Sequence, residues 1–224
     1  MNSRRIVQAA IGFAAALGLT GLMHAPFARS ILGRAGGCPF AGRLTPADAE
    51  VARHMALAEM HGTGNAPSRP AMGFILNGTT VAEARDWAAK KAVSCDEPRA
   101  GLLRCEHVPG EALGLRPGAA PAELSLQFDP DGRLVNAVTF RSHLSAEVAA
   151  QTAAAIVTSL SDSLGPAKRG VGSFDAGHLS RPSASSIATV SYRYEDYVAD
   201  VTAMRLPSTE GGVSVREQYM SARD

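Results

Sequence analysis

Residues 122–141 read AELSLQFDPDGRLVNAVTFR. Leu124, Leu126 and Phe128 alternate with Glu123, Ser125 and Gln127, the period of two of a strand with one apolar and one wet face. Asp129-Pro130-Asp131-Gly132 then supplies a turn: proline presets the backbone angle of its first corner and glycine tolerates positive φ at its end. Alternation resumes over Arg133–Arg141, with Leu134, Val138 and Phe140 expected on one face. The stretch predicts an antiparallel hairpin, Ala122–Asp129 paired with Arg133–Arg141.

Working outward, Leu102–Val108 reads as a third strand on the N-terminal side. Before it, Thr80-x-x-Glu83 forms a capping box, and Val81, Ala84, Trp87 and Ala88 recur on one face of the helix it starts. Further upstream, Thr45-Pro46-Ala47-Asp48 opens another helix candidate that runs to about Met60, followed by a Gly/Asn/Pro/Ser linker over 61–69. On the C-terminal side the pattern recurs. Ser145–Leu164 predicts a helix with Val148, Thr152, Ala155, Ile156, Ser159, Leu160 and Leu164 along one stripe, ended by Gly165-Pro166. Strands then follow over Ser186–Tyr194, Tyr197–Leu206 and Val213–Tyr219; Ala188, Val190, Tyr192 and Tyr194 share a face of the first, and Val213, Val215 and Tyr219 a face of the last. The expected class is therefore α+β: an N-terminal transmembrane or signal helix, then helices packed on antiparallel sheet as two successive helix-plus-three-strand units, about 70–142 and 143–224. One sheet or two remains open at this level.

Charge divides the chain at Asp48, its first acidic residue. Residues 1–47 carry Arg4, Arg5, Arg29, Arg34 and Arg43 unopposed, so a leader of +5 precedes a mildly acidic remainder within a net charge of +1. Behind the basic start, residues 6–23 (IVQAAIGFAAALGLTGLM) are uncharged and apolar. As a helix they reach about 27 Å, close to the roughly 30 Å hydrocarbon core of a bilayer. Pro26 disfavours cleavage after Ala25 or Ala28, so residues 1–43 are expected to be an uncleaved membrane anchor plus stalk, with export after cleavage as the alternative. Arginines flank the apolar run on both sides, so the positive-inside rule does not orient it.

The cysteines orient it instead. Cys95 and Cys105 bracket a segment in which Pro98 and Gly101 let the chain fold back, and their spacing fits a structural disulfide better than a zinc site. Such a bond persists in an oxidising compartment, which puts residues 44–224 on the extracytoplasmic (periplasmic) side. Cys38 is left over in GGCPFAG; an unpaired thiol is the plain expectation, and a haem or redox role the functional alternative.

Chemistry-bearing motifs are sparse. The sequence has no G-x-S-x-G, no phosphate loop and no H-E-x-x-H. The six histidines, His24, His54, His61, His107, His143 and His178, fall in different segments apart from His54 and His61. No cofactor or metal is expected, because no motif for either is present, and no nucleic-acid partner, because net charge is near zero and aromatic content is 5%. An enzyme site assembled from His107, His143, Glu195 and Asp196 is the catalytic alternative. Tyr192, Arg193, Tyr194, Tyr197, Arg205, Arg216 and Tyr219 form the expected binding surface, since tyrosine and arginine are enriched at interfaces. The run Gly78-Thr79-Thr80 into a helix, strands and a hairpin resembles small helix-plus-sheet modules of bacterial envelope lipoproteins involved in outer-membrane assembly. No function is taken over from that resemblance. The overall expectation is a membrane-anchored extracytoplasmic protein that binds or scaffolds another envelope protein without catalysis.

Overall fold

The structure, a computed structural model, describes Val51 and residues 62–181, 185–205 and 212–222. The leader 1–43, Cys38, His24, His54, His61 and the rest of the expected helix 45–60 lie outside the described residues, as does most of the 207–212 loop. No helix among the described residues is long and apolar enough to cross a membrane.

From residue 62 onward, two short strands come first, β1 (Pro70–Ala71) and β2 (Phe74–Ile75), closed on each other as a ribbon. Helix α1 (Val81–Lys90) follows with both halves of its capping box in place: Glu83 N donates to Thr80 Oγ1, and Thr80 N donates to the Glu83 carboxylate at 2.7 Å. Then come β3 (Cys95–Arg99), β4 (Leu102–Val108), a 3₁₀ turn at Gly110–Leu113, β5 (Ala122–Phe128) and β6 (Leu134–Leu144). The second half comprises α2 (Ala146–Leu164), β7 (Arg169–Val171), the single-turn α3 (Ala176–Leu179), β8 (Ser186–Arg193), β9 (Tyr197–Arg205) and β10 (Val213–Ser221).

All eight strands from β3 to β10 form one antiparallel sheet in the order β3-β4-β5-β6-β10-β9-β8-β7. Each half is a meander, and the last strands of the two halves, β6 and β10, pair at the centre. The fold is therefore mostly β, which corrects the α+β expectation of an N-terminal helix and two helix-plus-three-strand units. Each half holds four sheet strands rather than three, because β3 and β7 were not expected. Their sequences, CDEPR and RGV, lack apolar alternation and contain proline or glycine. Both lie at sheet edges, where pairing with one neighbour suffices and proline and charge discourage further pairing.

One face of the sheet meets the helices. Ala84 of α1, Ala149, Ala153, Ile156, Leu160 and Leu164 of α2, and Leu179 of α3 share a core with the inward residues of the strands. The α2 stripe is rotated from expectation: Ala149 and Ala153 are buried, whereas Val148, Ala155 and Ser159 are exposed. The opposite face, bearing Val138, Phe140, Thr189, Thr202, Arg216 and Gln218, carries no described helix.

Four register shifts interrupt the pairings, one in β3 opposite β4 and three that reset the parity of β4 and β6. Phe128 pairs with Leu134 but Gln127 pairs with Asn136, so Val135 is an extra residue in β6. Leu134 and Val135 are consequently both buried, and from there the odd-numbered residues face the core. The expected grouping of Leu134 with Val138 and Phe140 therefore does not hold: Phe140 faces out, and Ala137, Thr139 and Arg141 face in. Two further bulges place His107 in β4 and His143 in β6 at φ of 53° and 59°, in the left-handed region that histidine tolerates better than most residues.

Candidate functional site

The bulge in β6 delivers an arginine to the middle of the core. Arg141 meets Glu217 of β10, which the alternation Val213, Val215, Glu217, Tyr219 also turns inward. Arg141 Nη1 donates to Glu217 Oε1 at 2.5 Å, and the two side chains are 0% and 4% exposed. Thr139 Oγ1 donates to the same oxygen at 2.9 Å, and Tyr219 Oη donates to Oε2 at 2.8 Å. Arg141 Nε reaches the Ala120 carbonyl at 3.3 Å, while its Nη2 is buried without a hydrogen-bond partner. Burial first, and the neighbouring Glu217 charge second, hold the Tyr219 phenol well above its ordinary value of 10.0.

This network floors a cleft of about 200 Å³. Its walls are the β1–β2 turn at Met72 and Gly73, the 3₁₀ turn and its exit at Leu113, Gly114, Leu115 and Arg116, and one side of α2 at Ala155, Ile156, Ser159 and Leu160. Glu217 and Tyr219 lie at the bottom, and exposed residues such as Gly73, Arg116 and Ser159 form the rim. Arg116 Nη2 is held at that rim by Gln151 Oε1 at 2.6 Å. The buried Glu217 carboxylate is paired with Arg141 and has acceptor capacity to offer a ligand entering from the rim.

The residues expected to form a binding surface fall on two sides of the sheet. Tyr192, Tyr194, Tyr197 and Tyr219 are all buried, and each hydroxyl is hydrogen-bonded inside the fold. Tyr192 Oη lies 2.9 Å from Ser161 Oγ, Tyr194 Oη donates to the Leu164 carbonyl, and Tyr197 Oη donates to the Pro70 carbonyl at 2.7 Å. Burial raises the pKa of Tyr194 and Tyr197 as well. Arg193 instead faces the side of the sheet away from α2, where it pairs with Asp200 at 2.7 Å, and Arg216 lies on that same side beside Gln218. Arg205 donates to the Ser180 carbonyl at 3.0 Å near α3. The alternation in β8 carries this split in the sequence itself, since Arg193 stands between Tyr192 and Tyr194.

His107, His143, Glu195 and Asp196 are not brought together. His107 and the neighbour of His143, Ser142, line one cleft, whereas Asp196 lines another with Ala66, Arg69 and Ser163. Asp196 precedes the Tyr197–Ser221 pair at the Asn136 end of β6, while His143 lies at its far end. Seven strand positions separate those ends, roughly 23 Å at about 3.3 Å per residue. Among the described residues no group of three or more His, Cys, Asp or Glu is placed to hold a metal.

Cys95 and Cys105 face each other across β3 and β4 with their sulfurs 2.03 Å apart, at disulfide-bonding distance. The chain matches no known protein family, no curated protein and no solved structure, so the resemblance to envelope lipoprotein modules gains no support from comparison.

Proposed function

We propose that this chain is tethered to the membrane through residues 6–23, with its folded part extracytoplasmic, where it binds another envelope protein without catalysing a reaction. The observation that carries the location is the Cys95–Cys105 pair, because a cross-strand disulfide persists where the surroundings are oxidising. Binding is supported by the sheet face away from α2, which carries no helix among the described residues. There Phe140 and Ile187 are exposed, and they lie among groups able to hydrogen-bond, including Thr189, Thr202 and Gln218. The Arg193–Asp200 pair neutralises charge on that face. A mixed, nearly neutral surface of this kind suits a protein partner and lacks the basic stripe that would track a phosphate backbone.

Two measurements test the proposal. The intact mass of membrane-extracted protein is expected to match the uncleaved chain and to rise by two hydrogens on reduction. Cross-linking in whole cells, followed by purification, is expected to recover a second envelope protein, with the yield lowered by Phe140→Glu. Free Cys95 and Cys105 thiols in protein taken directly from cells would remove the extracytoplasmic assignment. Cross-linking that recovers only this chain would remove the partner.

A further inference from the structure

A separate cleft lies on the helix-covered side of the sheet, away from the proposed partner face. We propose that the cleft beneath α2 binds an uncharged amphiphile whose hydroxyl head donates to Glu217 and whose single alkyl chain runs out between α2 and the 3₁₀ turn. The floor sets the head group. Glu217 and Tyr219 are 3% and 2% exposed, yet both line the cleft. A carboxylate offers about four acceptor positions. Three are taken, two on Oε1 by Arg141 and Thr139 and one on Oε2 by Tyr219, which leaves Oε2 able to accept from a ligand.

Charge selects among head groups. Arg141 already neutralises Glu217. An anionic head would bring a second negative charge against that carboxylate, and a cationic one would leave the floor with a net positive charge away from water. A hydroxyl adds a donor and no charge. The sides set the tail: Met72, Leu113, Ile156 and Leu160 are buried and apolar. Size sets its bulk, since about 200 Å³ falls below the roughly 300–1,000 Å³ of pockets for drug-sized ligands and suits one chain rather than a fused-ring body.

The test is isothermal titration calorimetry of the full chain with 1-octanol, octanoate and octylammonium at neutral pH. Trp87, the sole tryptophan, reports in parallel because it packs edge-on against Phe74, next to the β1–β2 turn that walls the cleft. Octanol is expected to bind, with octanoate and octylammonium at least about tenfold weaker, the scale on which an unmatched buried charge is felt. Ala155→Phe places a ring over the exposed rim and is expected to weaken octanol at least about tenfold, with the thermal midpoint unchanged. Should that variant unfold, Ser159→Phe closes the same rim from the next turn of α2 and carries the same expectation. Absence of saturable octanol binding overturns the site. Equal binding of all three probes overturns the role of Glu217, and full affinity in a folded rim variant overturns the location.

Discussion

The two halves of the sheet have the same strand order about the β6–β10 seam, yet they are held by different means. The first half, β3 to β6, has a short capped helix and a covalent clasp at its outer edge, Cys95–Cys105. The second half, β7 to β10, has no cysteine. It lies under the 19-residue α2 and anchors Tyr192 and Tyr194 to that helix through hydroxyl hydrogen bonds. A long helix buries enough apolar surface to dispense with a clasp. An edge strand of sequence CDEPR, with almost nothing to bury, does not. Where the halves meet, α2 also packs against β10 and β6, and the buried Arg141–Glu217 pair ties those two strands together.

That seam is where the comparison breaks most sharply. Arg141→Met leaves the buried Glu217 without its countercharge, held only by Thr139 and Tyr219, and is expected to destabilise the protein by about 3–5 kcal/mol. The double variant Arg141→Met/Glu217→Leu is expected to recover most of that loss. Urea denaturation of both single variants and the double completes the cycle. A double variant as damaged as Arg141→Met would mean that the pair supplies stability rather than fixing how the halves register.

Next in size is the clasp. Reduction, or Cys95→Ser with Cys105→Ser, is expected to cost roughly 2–3 kcal/mol for a loop this short. Amide exchange should quicken in β3 and β4 and stay unchanged in β8 and β9. Uniform loss of protection across the sheet would show that the halves unfold as one unit and that the clasp serves both.

The tyrosine anchors come third. Tyr194→Phe and Tyr197→Phe each remove one hydroxyl bond inside the fold and should cost about 1 kcal/mol, read as a shift in the urea midpoint. Thr80→Ala, which breaks the capping box of α1, should cost about the same. The variants separate by location, since exchange protection should fall in α2 for Tyr194→Phe, around β1 for Tyr197→Phe and in α1 for the cap variant.

Two pH effects are smaller under ordinary conditions. Hydrogen bonds to Thr80 lower the Glu83 pKa below its ordinary 4.5. Its contribution is therefore present above that value and lost as pH falls through the lower, folded-state pKa. Tyr194, Tyr197 and Tyr219 have raised pKa values, so the folded state holds their protons longer than the unfolded chain. Stability is then intact below pH 10, the ordinary tyrosine value, and declines as pH rises beyond it. The tyrosinate absorbance of these residues should rise together with the loss of β circular dichroism. Tyrosinate formed earlier, with the sheet intact, would mean that they are open to solvent.

Much of the secondary structure was legible because burial on one face leaves a period in the sequence. The 122–141 hairpin, the Thr80–Glu83 cap, the α2 helix and the β8 to β10 strands all carry it. The inward turn of Glu217 was also present in the alternation of β10. Edge strands β3 and β7 carry no such period, because pairing with a neighbour rather than burial makes them strands. The four tyrosines show how residue type alone misleads. Amphipathic side chains suit an interface, but they suit a core equally well once each hydroxyl has a partner.

By itself the sequence determined the local elements that carry a period, the charge break at Asp48 and the cysteine pairing, since each rests on neighbours within about ten residues. Only the tertiary structure decided that the two halves share a single sheet and that Arg141, not Phe140, enters its core. The reason is one extra residue, Val135. A bulge exists only with respect to the strand opposite, so its reversal of inside and outside appears only once β5 and β6 are paired.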